Sequence, residues 1–226
     1  MQINVYDITK EYQKTRGVFS VSFTAEKGEC IAIVGHNGAG KSTLLKILSG
    51  WIIPDRGLAS VDGASISNRQ ALVKNVGFVP ETPNLFESFS VEYNFRLFAR
   101  LFNIPFTRVS EVLKEFNLLP FRRSKVQTLS KGLKQRVSIG RSLLPDPPVI
   151  LLDEPTSGLD FEMTKEVYQL LKNSNSSGKT ILFTTHRPEE IRTLASRIIV
   201  LHQGKTVFDG LPGQYFESKV HQELYV

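Results

Sequence analysis

Three observations predict an α/β fold. Strand-length apolar runs alternate with helical patterns, the first two runs have no helix between them, and strand runs vanish over residues 84–145. The alternation predicts a mainly parallel sheet. The first two runs predict an N-terminal antiparallel β portion, and the gap predicts an inserted helical subdomain. The expected division is one domain over residues 1–226, with an α/β core formed by 1–83 and 146–226 and a helical subdomain at 84–145.

The strand candidates, in order, are residues 3–8, 18–24, 30–34, 75–79, 149–153, 180–184 and 197–201. Within the middle stretch, Val91, Phe95, Phe98, Leu101 and Phe102 recur at a helical period, and Ser90 and Glu92 suit a helix start, so a helix is expected over 91–102. A second is expected over 107–118. The segment Pro80-Glu81-Thr82-Pro83 reads as the hinge into this subdomain.

With 226 residues, 41% of them hydrophobic and 22% charged, the chain is long enough to bury a sizeable core. The single cysteine, Cys30, cannot form an internal disulfide and reads as a small buried hydrophobe in a reducing compartment. The N-terminus lacks a basic stretch followed by an apolar one, so no signal peptide is expected. Apolar runs such as Val149-Ile150-Leu151-Leu152 fall far short of the roughly 20 residues that span a bilayer. Work at a membrane would therefore require another chain to cross it. The net charge of +6 is scattered, and its one compact cluster, Arg122-Arg123-Ser124-Lys125, reads as a solvated turn. No nucleic-acid partner is expected.

The segment Gly35-His36-Asn37-Gly38-Ala39-Gly40-Lys41-Ser42 fits the phosphate-loop pattern G-x-x-x-x-G-K-[ST]. It follows an apolar strand and precedes the helical run that opens at Thr43, which is the context the pattern requires. Glycines there permit close backbone approach, so successive amides and a helix N-terminus converge on phosphate. Lys41 is expected to reach the β- and γ-phosphates, with Ser42 as a Mg²⁺ ligand. This pattern alone leaves kinases, GTPases, helicases and many ATPases open. A second buried strand ends in Asp153 and Glu154. At such a strand end Asp153 suits Mg²⁺, largely through water, and Glu154 suits activation of an attacking water.

The run Leu129-Ser130-Lys131-Gly132-Leu133-Lys134-Gln135-Arg136 resembles the signature motif of the ATP-binding cassette (ABC) family, and Asp153-Glu154-Pro155-Thr156-Ser157-Gly158-Leu159-Asp160 is similar to its Walker B and D-loop run. Thr185-His186 follows the next strand as the family's switch histidine does, and Tyr12 stands where an aromatic stacks on adenine. The resemblance covers nearly the whole chain in the expected order. It implies a P-loop NTPase (RecA-like) core and an ATPase in which Glu154 and His186 are catalytic. Nucleotide contacts would come from Tyr12, residues Gly35 to Thr43, Ser130 and Gly132, and metal contacts from Ser42, Glu81 and Asp153. His36 reads as a tolerated loop residue within that span.

The signature implies a second phosphate clamp, with Ser130 capping a helix and Gly132 allowing close approach. In the family this clamp acts in trans, so the resemblance implies a dimer of this chain or a related ATPase subunit. It further implies permease subunits in the membrane, with this chain cytoplasmic and peripheral on the inner face. A soluble ABC ATPase acting on nucleic acid or the ribosome is the alternative. The chain carries no long coiled-coil insertion, second cassette or extended basic arm to favour it.

Two positions depart from the family's pattern. Glu81 stands where Gln is usual; a carboxylate can ligate Mg²⁺ or its water, but when ionised cannot donate as an amide does. Lys131 and Leu133 replace the commoner Gly and Gln of the signature. Both departures resemble the branch that serves exporters with separately encoded membrane subunits. Phe86 and Phe89, beyond the hinge, are candidates for a groove that receives a helix of such a subunit, whereas Phe95, Phe98 and Phe102 are expected in the subdomain core.

Overall fold

The structure is a computed structural model that describes residues 1–13 and 16–224. Its strands are β1 (Ile3–Gln13), β2 (Arg16–Ala25), β3 (Cys30–Val34), β4 (Arg56–Val61), β5 (Ala64–Ser65), β6 (Val76–Val79), β7 (Val149–Leu152), β8 (Thr180–Thr185), β9 (Arg197–His202) and β10 (Lys205–Gly210). They form two sheets, one of four strands in the order β2-β1-β4-β5 and one of six in the order β10-β9-β3-β8-β7-β6. The first is antiparallel throughout; the second is parallel except for the edge strand β10.

Strands β3, β7 and β8 are buried at every position, as parallel strands covered on both faces must be. Their period of two sends alternate side chains into two cores. Ile31 and Ile33 face the core shared with the antiparallel sheet and α1 (Lys41–Leu48), while Cys30, Ala32 and Val34 face the other. In β9, Ile199 and Leu201 divide from Ile198 and Val200 in the same way.

The second core runs into α3 (Val91–Leu101), α4 (Phe106–Glu115) and α5 (Lys131–Ser142), which pack against one another; the short helix α2 (Arg69–Asn75) lies earlier, before β6. Helix α3 starts where Ser90 Oγ accepts the Tyr93 amide at 3.1 Å, with Glu92 in its first turn. Phe95 and Phe116 are fully buried between these helices, each contributing roughly 1.5–3 kcal/mol by burial. Phe98 and Phe102 are only half-buried. They border an apolar groove of about 230 Å³ together with Trp51, Phe78 and Phe86. Phe89 lies outside that groove, stacked on Tyr93 with ring centroids 4.4 Å apart. The Arg122–Lys125 cluster is a turn whose carbonyls at Arg122 and Ser124 accept the first amides of α3, its charged side chains exposed.

The remaining helices are α6 (Phe161–Ser176), α7 (Pro188–Leu194), α8 (Pro212–Glu217) and α9 (Lys219–Leu224). Among the described residues none is long and apolar enough to cross a membrane. Three strands, β4, β5 and β10, were not expected from the sequence. Strand β5 is two residues long, β10 alternates between exposed and half-buried positions, and β4 buries only Ala59 and Val61.

Candidate active site

The parallel strands deliver their C-terminal ends to one edge of the sheet. Val34 pairs with both Thr185 and Val200, and Leu152 with Val79 and Phe183, so the segments after β3, β6, β7 and β8 emerge side by side. There they line a cleft of about 1090 Å³ bordered by Tyr12, Asn37 to Thr43, Glu81, Glu154, Ser157 and His186.

The phosphate loop wraps the start of α1. Its N-cap, Gly40, is left-handed at φ 101° and contributes no side-chain cap, which leaves first-turn amides available to an anion. A Cβ at Gly40 would stand 2.6 Å from the Gly17 carbonyl oxygen, so β2 closes off the space any larger residue would need. Lys41 is buried, and its Nζ donates to the carbonyls of Gly35 at 2.8 Å and His36 at 3.1 Å. Burial lowers the Lys41 pKa, against the opposing charges of Glu154, Asp153 and Glu81. His36 and Gly35 do not border the cleft; they serve it through these carbonyls.

Asp153 lies beneath the loop, 3% exposed, accepting the Ser42 hydroxyl at 2.9 Å and the Thr184 hydroxyl at 2.7 Å. Glu154 follows in the left-handed region at φ 47°, a conformation that costs of order 1–3 kcal/mol in a non-glycine residue. Its amide donates to Thr184 Oγ1 at 2.8 Å, which helps hold it there. The carboxylate sits between Lys41 and His186, with Oε1 3.9 Å from Lys41 Nζ and Oε2 3.0 Å from His186 Nδ1. Thr184 thus orients both acids, a role the sequence reading missed although Thr184-Thr185 stood beside the histidine it named. Arg16, Gly17, Ser157 and Gln203 also border the cleft and were not singled out.

Ser42, Asp153 and Glu81 offer hard oxygen donors around one end of the cleft, a sparse set that suits Mg²⁺, which keeps waters and shares phosphate oxygens. Tyr12 is exposed at the cleft's far wall, near the end of β1. Ser130 and Gly132 do not border the cleft at all. Ser130 caps α5 by accepting the Leu133 amide at 3.3 Å, while Gly132 packs against Met163 of α6, 2.7 Å from where its Cβ would lie. Lys131 folds across Gly158. The geometry of a buried lysine, two acids and a histidine around an uncapped helix start is that of a nucleoside-triphosphate hydrolase.

A model of the ABC transporter family matches residues 18–157, more than half of the chain. The chain belongs to the ATP-binding subunits of ABC transporters. It is 35% identical over 225 residues to Nod factor export ATP-binding protein I of Rhizobium sp. (strain N33), covering 96% of this chain and 73% of that protein. It is 33% identical over 233 residues to the ABC transporter ATP-binding protein NatA of Bacillus subtilis (strain 168), covering 98% and 94%. Among solved structures it is similar to the dimeric post-hydrolysis state of the ATP-binding cassette MJ0796 bound to ADP and Pi, with TM-score 0.83, 30% identity and coverage of 93% and 98%. It is also similar to cbiO1 from Clostridium perfringens, part of the cbiONQ transporter complex, with TM-score 0.85, 29% identity and coverage of 98% and 93%. As an ABC ATPase the chain binds and hydrolyses ATP.

Proposed function

We propose that this ABC ATPase powers export through separate membrane-spanning subunits, docked on the inner face of the membrane, by head-to-tail closure of two ATPase subunits on ATP and Mg²⁺. The observation that carries this reading is the separation of Ser130 from the cleft. The start of α5 at Ser130 lies outside its own chain's cleft, and it serves as the second phosphate clamp only when another subunit brings it there. A second copy supplies it. Export is favoured by the relatives named for Nod factor export and by Glu81 and Lys131.

In this reading Tyr12 stacks on the adenine, and the amides of residues 37–43 cradle the phosphates with Lys41. Ser42, Asp153 and Glu81 would hold Mg²⁺, which would supply neutralisation of charge on the phosphates. Glu154 accepts a proton from the attacking water as its oxygen bonds the γ-phosphorus and the bond to ADP breaks. His186 steadies Glu154 and contacts the γ-phosphate. Residues 84–145 turn as a helical unit about Pro80 and Pro83, with Glu81 sensing the metal.

Mixing two inactive variants tests the shared site. Lys41→Ala and Ser130→Phe chains should each hydrolyse little ATP, yet regain activity when combined, because the mixed dimer keeps one site free of both defects. Mixtures no more active than the parents would refute the head-to-tail site.

For the membrane subunit, the groove bordered by Trp51, Phe78, Phe86, Phe98 and Phe102 is the proposed seat of a short helix. Arg141 forms part of its wall, 8% exposed, its guanidinium 4.2 Å from the Phe98 ring centroid. Burial brings its pKa down to about 10, and no carboxylate pairs with it among the described residues. Phe86→Ala should weaken co-purification with the membrane subunit about tenfold and leave nucleotide affinity within twofold. Phe89→Ala should act less, since Phe89 is already stacked on Tyr93. Equal loss of assembly and nucleotide binding in Phe86→Ala would count against the groove.

A further inference from the structure

Behind the cleft lies a buried carboxylate to which the hydrolytic chemistry above assigns no part. Glu190, in α7, is 1% exposed, and both of its oxygens are engaged. Thr185 Oγ1 donates to Oε2 at 2.5 Å, and Thr156 Oγ1 donates to Oε1 at 3.1 Å. These two threonines belong to different segments. Thr185 immediately precedes His186, and Thr156 lies two residues beyond Glu154.

Both hydroxyls also meet Arg187. The Arg187 amide donates to Thr185 Oγ1 at 3.0 Å, and Arg187 Nη1 donates to Thr156 Oγ1 at 3.2 Å. Each hydroxyl thus accepts from Arg187 and lies within hydrogen-bond distance of Glu190. Burial, with the nearby Glu154 charge, raises the Glu190 pKa, and the Thr185 and Thr156 bonds and the Arg187 charge offset only part of that rise.

Strand geometry makes this arrangement consequential. Along Thr184-Thr185-His186, Thr184 bonds Asp153 and the Glu154 amide, Thr185 bonds Glu190, and His186 meets Glu154. The approach of His186 Nδ1 to Glu154 Oε2 thus depends on two segments that Glu190 fastens together from behind.

We propose that Glu190 is a positioning residue for ATP hydrolysis, holding the Glu154 loop and the His186 loop in register through Thr156 and Thr185. The proposal rests on Glu154 and His186 acting in hydrolysis as set out above. Glu190 does not border the cleft; it acts through the two threonines.

Steady-state hydrolysis and nucleotide affinity in the full chain test it. Glu190→Ala should lower kcat about ten- to hundredfold, the range expected for misplacement of reacting groups, with ATP affinity changed less than about twofold. Glu190→Gln keeps one acceptor and the side-chain volume and should recover most of the loss. In a His186→Ala background, adding Glu190→Ala should cost less than about twofold, because the contact it protects is already gone. An unchanged kcat in Glu190→Ala, an equal loss in both backgrounds, or a loss confined to affinity would overturn the proposal. Should Glu190→Ala fail to fold, Thr156→Val and Thr185→Val each remove one hydroxyl, with its bonds to Glu190 and Arg187, at constant shape, and kcat must fall in both for the proposal to stand. Full turnover by His186→Ala alone would overturn the reading beneath it.

Discussion

Glu154→Gln is expected to bind ATP as the parent chain does and to hydrolyse it about a thousandfold more slowly, in the range that loss of a general base produces. The substitution preserves shape and removes only the ability to accept a proton. Neither the Thr184 hydroxyl on the Glu154 amide nor the left-handed backbone at φ 47° depends on the side-chain charge. The fold should therefore survive. Because ATP then persists in the closed pair, the variant should sediment as a dimer in ATP and as a monomer in ADP. A single-turnover assay separates the outcomes, since a chemical step running at the parent's rate would remove Glu154 from its assigned role.

Lys41→Ala should fail earlier, at binding. Its ammonium makes two hydrogen bonds to loop carbonyls, and exchanging them for phosphate oxygens gives charge-assisted bonds worth about 1.5–3 kcal/mol each. Losing two such bonds weakens ATP binding by about a hundredfold or more. Isothermal titration with a non-hydrolysable ATP analogue would measure it. The same lysine sets a pH dependence. Burial lowers its pKa, so the ammonium is present below that lowered value and disappears as pH rises through it. Nucleotide affinity should fall on the alkaline side at a lower pH than an ordinary lysine would impose. Affinity within a few-fold of the parent in Lys41→Ala would contradict the geometry.

Much of this site could be read from the sequence because its parts are local. A strand, a glycine-rich loop and a helix start occupy consecutive residues, so the phosphate loop announces itself, and β3 has the bounds its apolar run suggested. Helix α3 was legible for the same reason, through the spacing of Val91, Phe95 and their successors. Strands β4 and β10 were not. Strand β10 alternates between exposed and half-buried positions, Gly57 and Gly210 dilute the apolar signal, and β4 is stabilised by pairing with β1, far earlier in the chain. Helices α2 and α7 bury one and two side chains each, so their apolar pattern is too sparse to read. The link from Thr156 to Glu190 spans 34 residues and belongs to no motif, so no sequence spacing could reveal it. The half-exposure of Phe98 and Phe102 was equally hidden, because helical period shows which face is apolar without showing what covers it.

Strand β8 has no face turned to solvent: all six of its residues are buried, and Thr184, Thr185 and the His186 that follows them divide the work between Asp153, Glu190 and Glu154. Such a strand cannot absorb an insertion. A codon gained within it would invert every side chain beyond the change, carrying a hydroxyl from the front of the sheet to the back. Length variation within this lineage should therefore gather in the connections at the opposite sheet edge, and the six residues before His186 should be among the least elastic stretches of the gene.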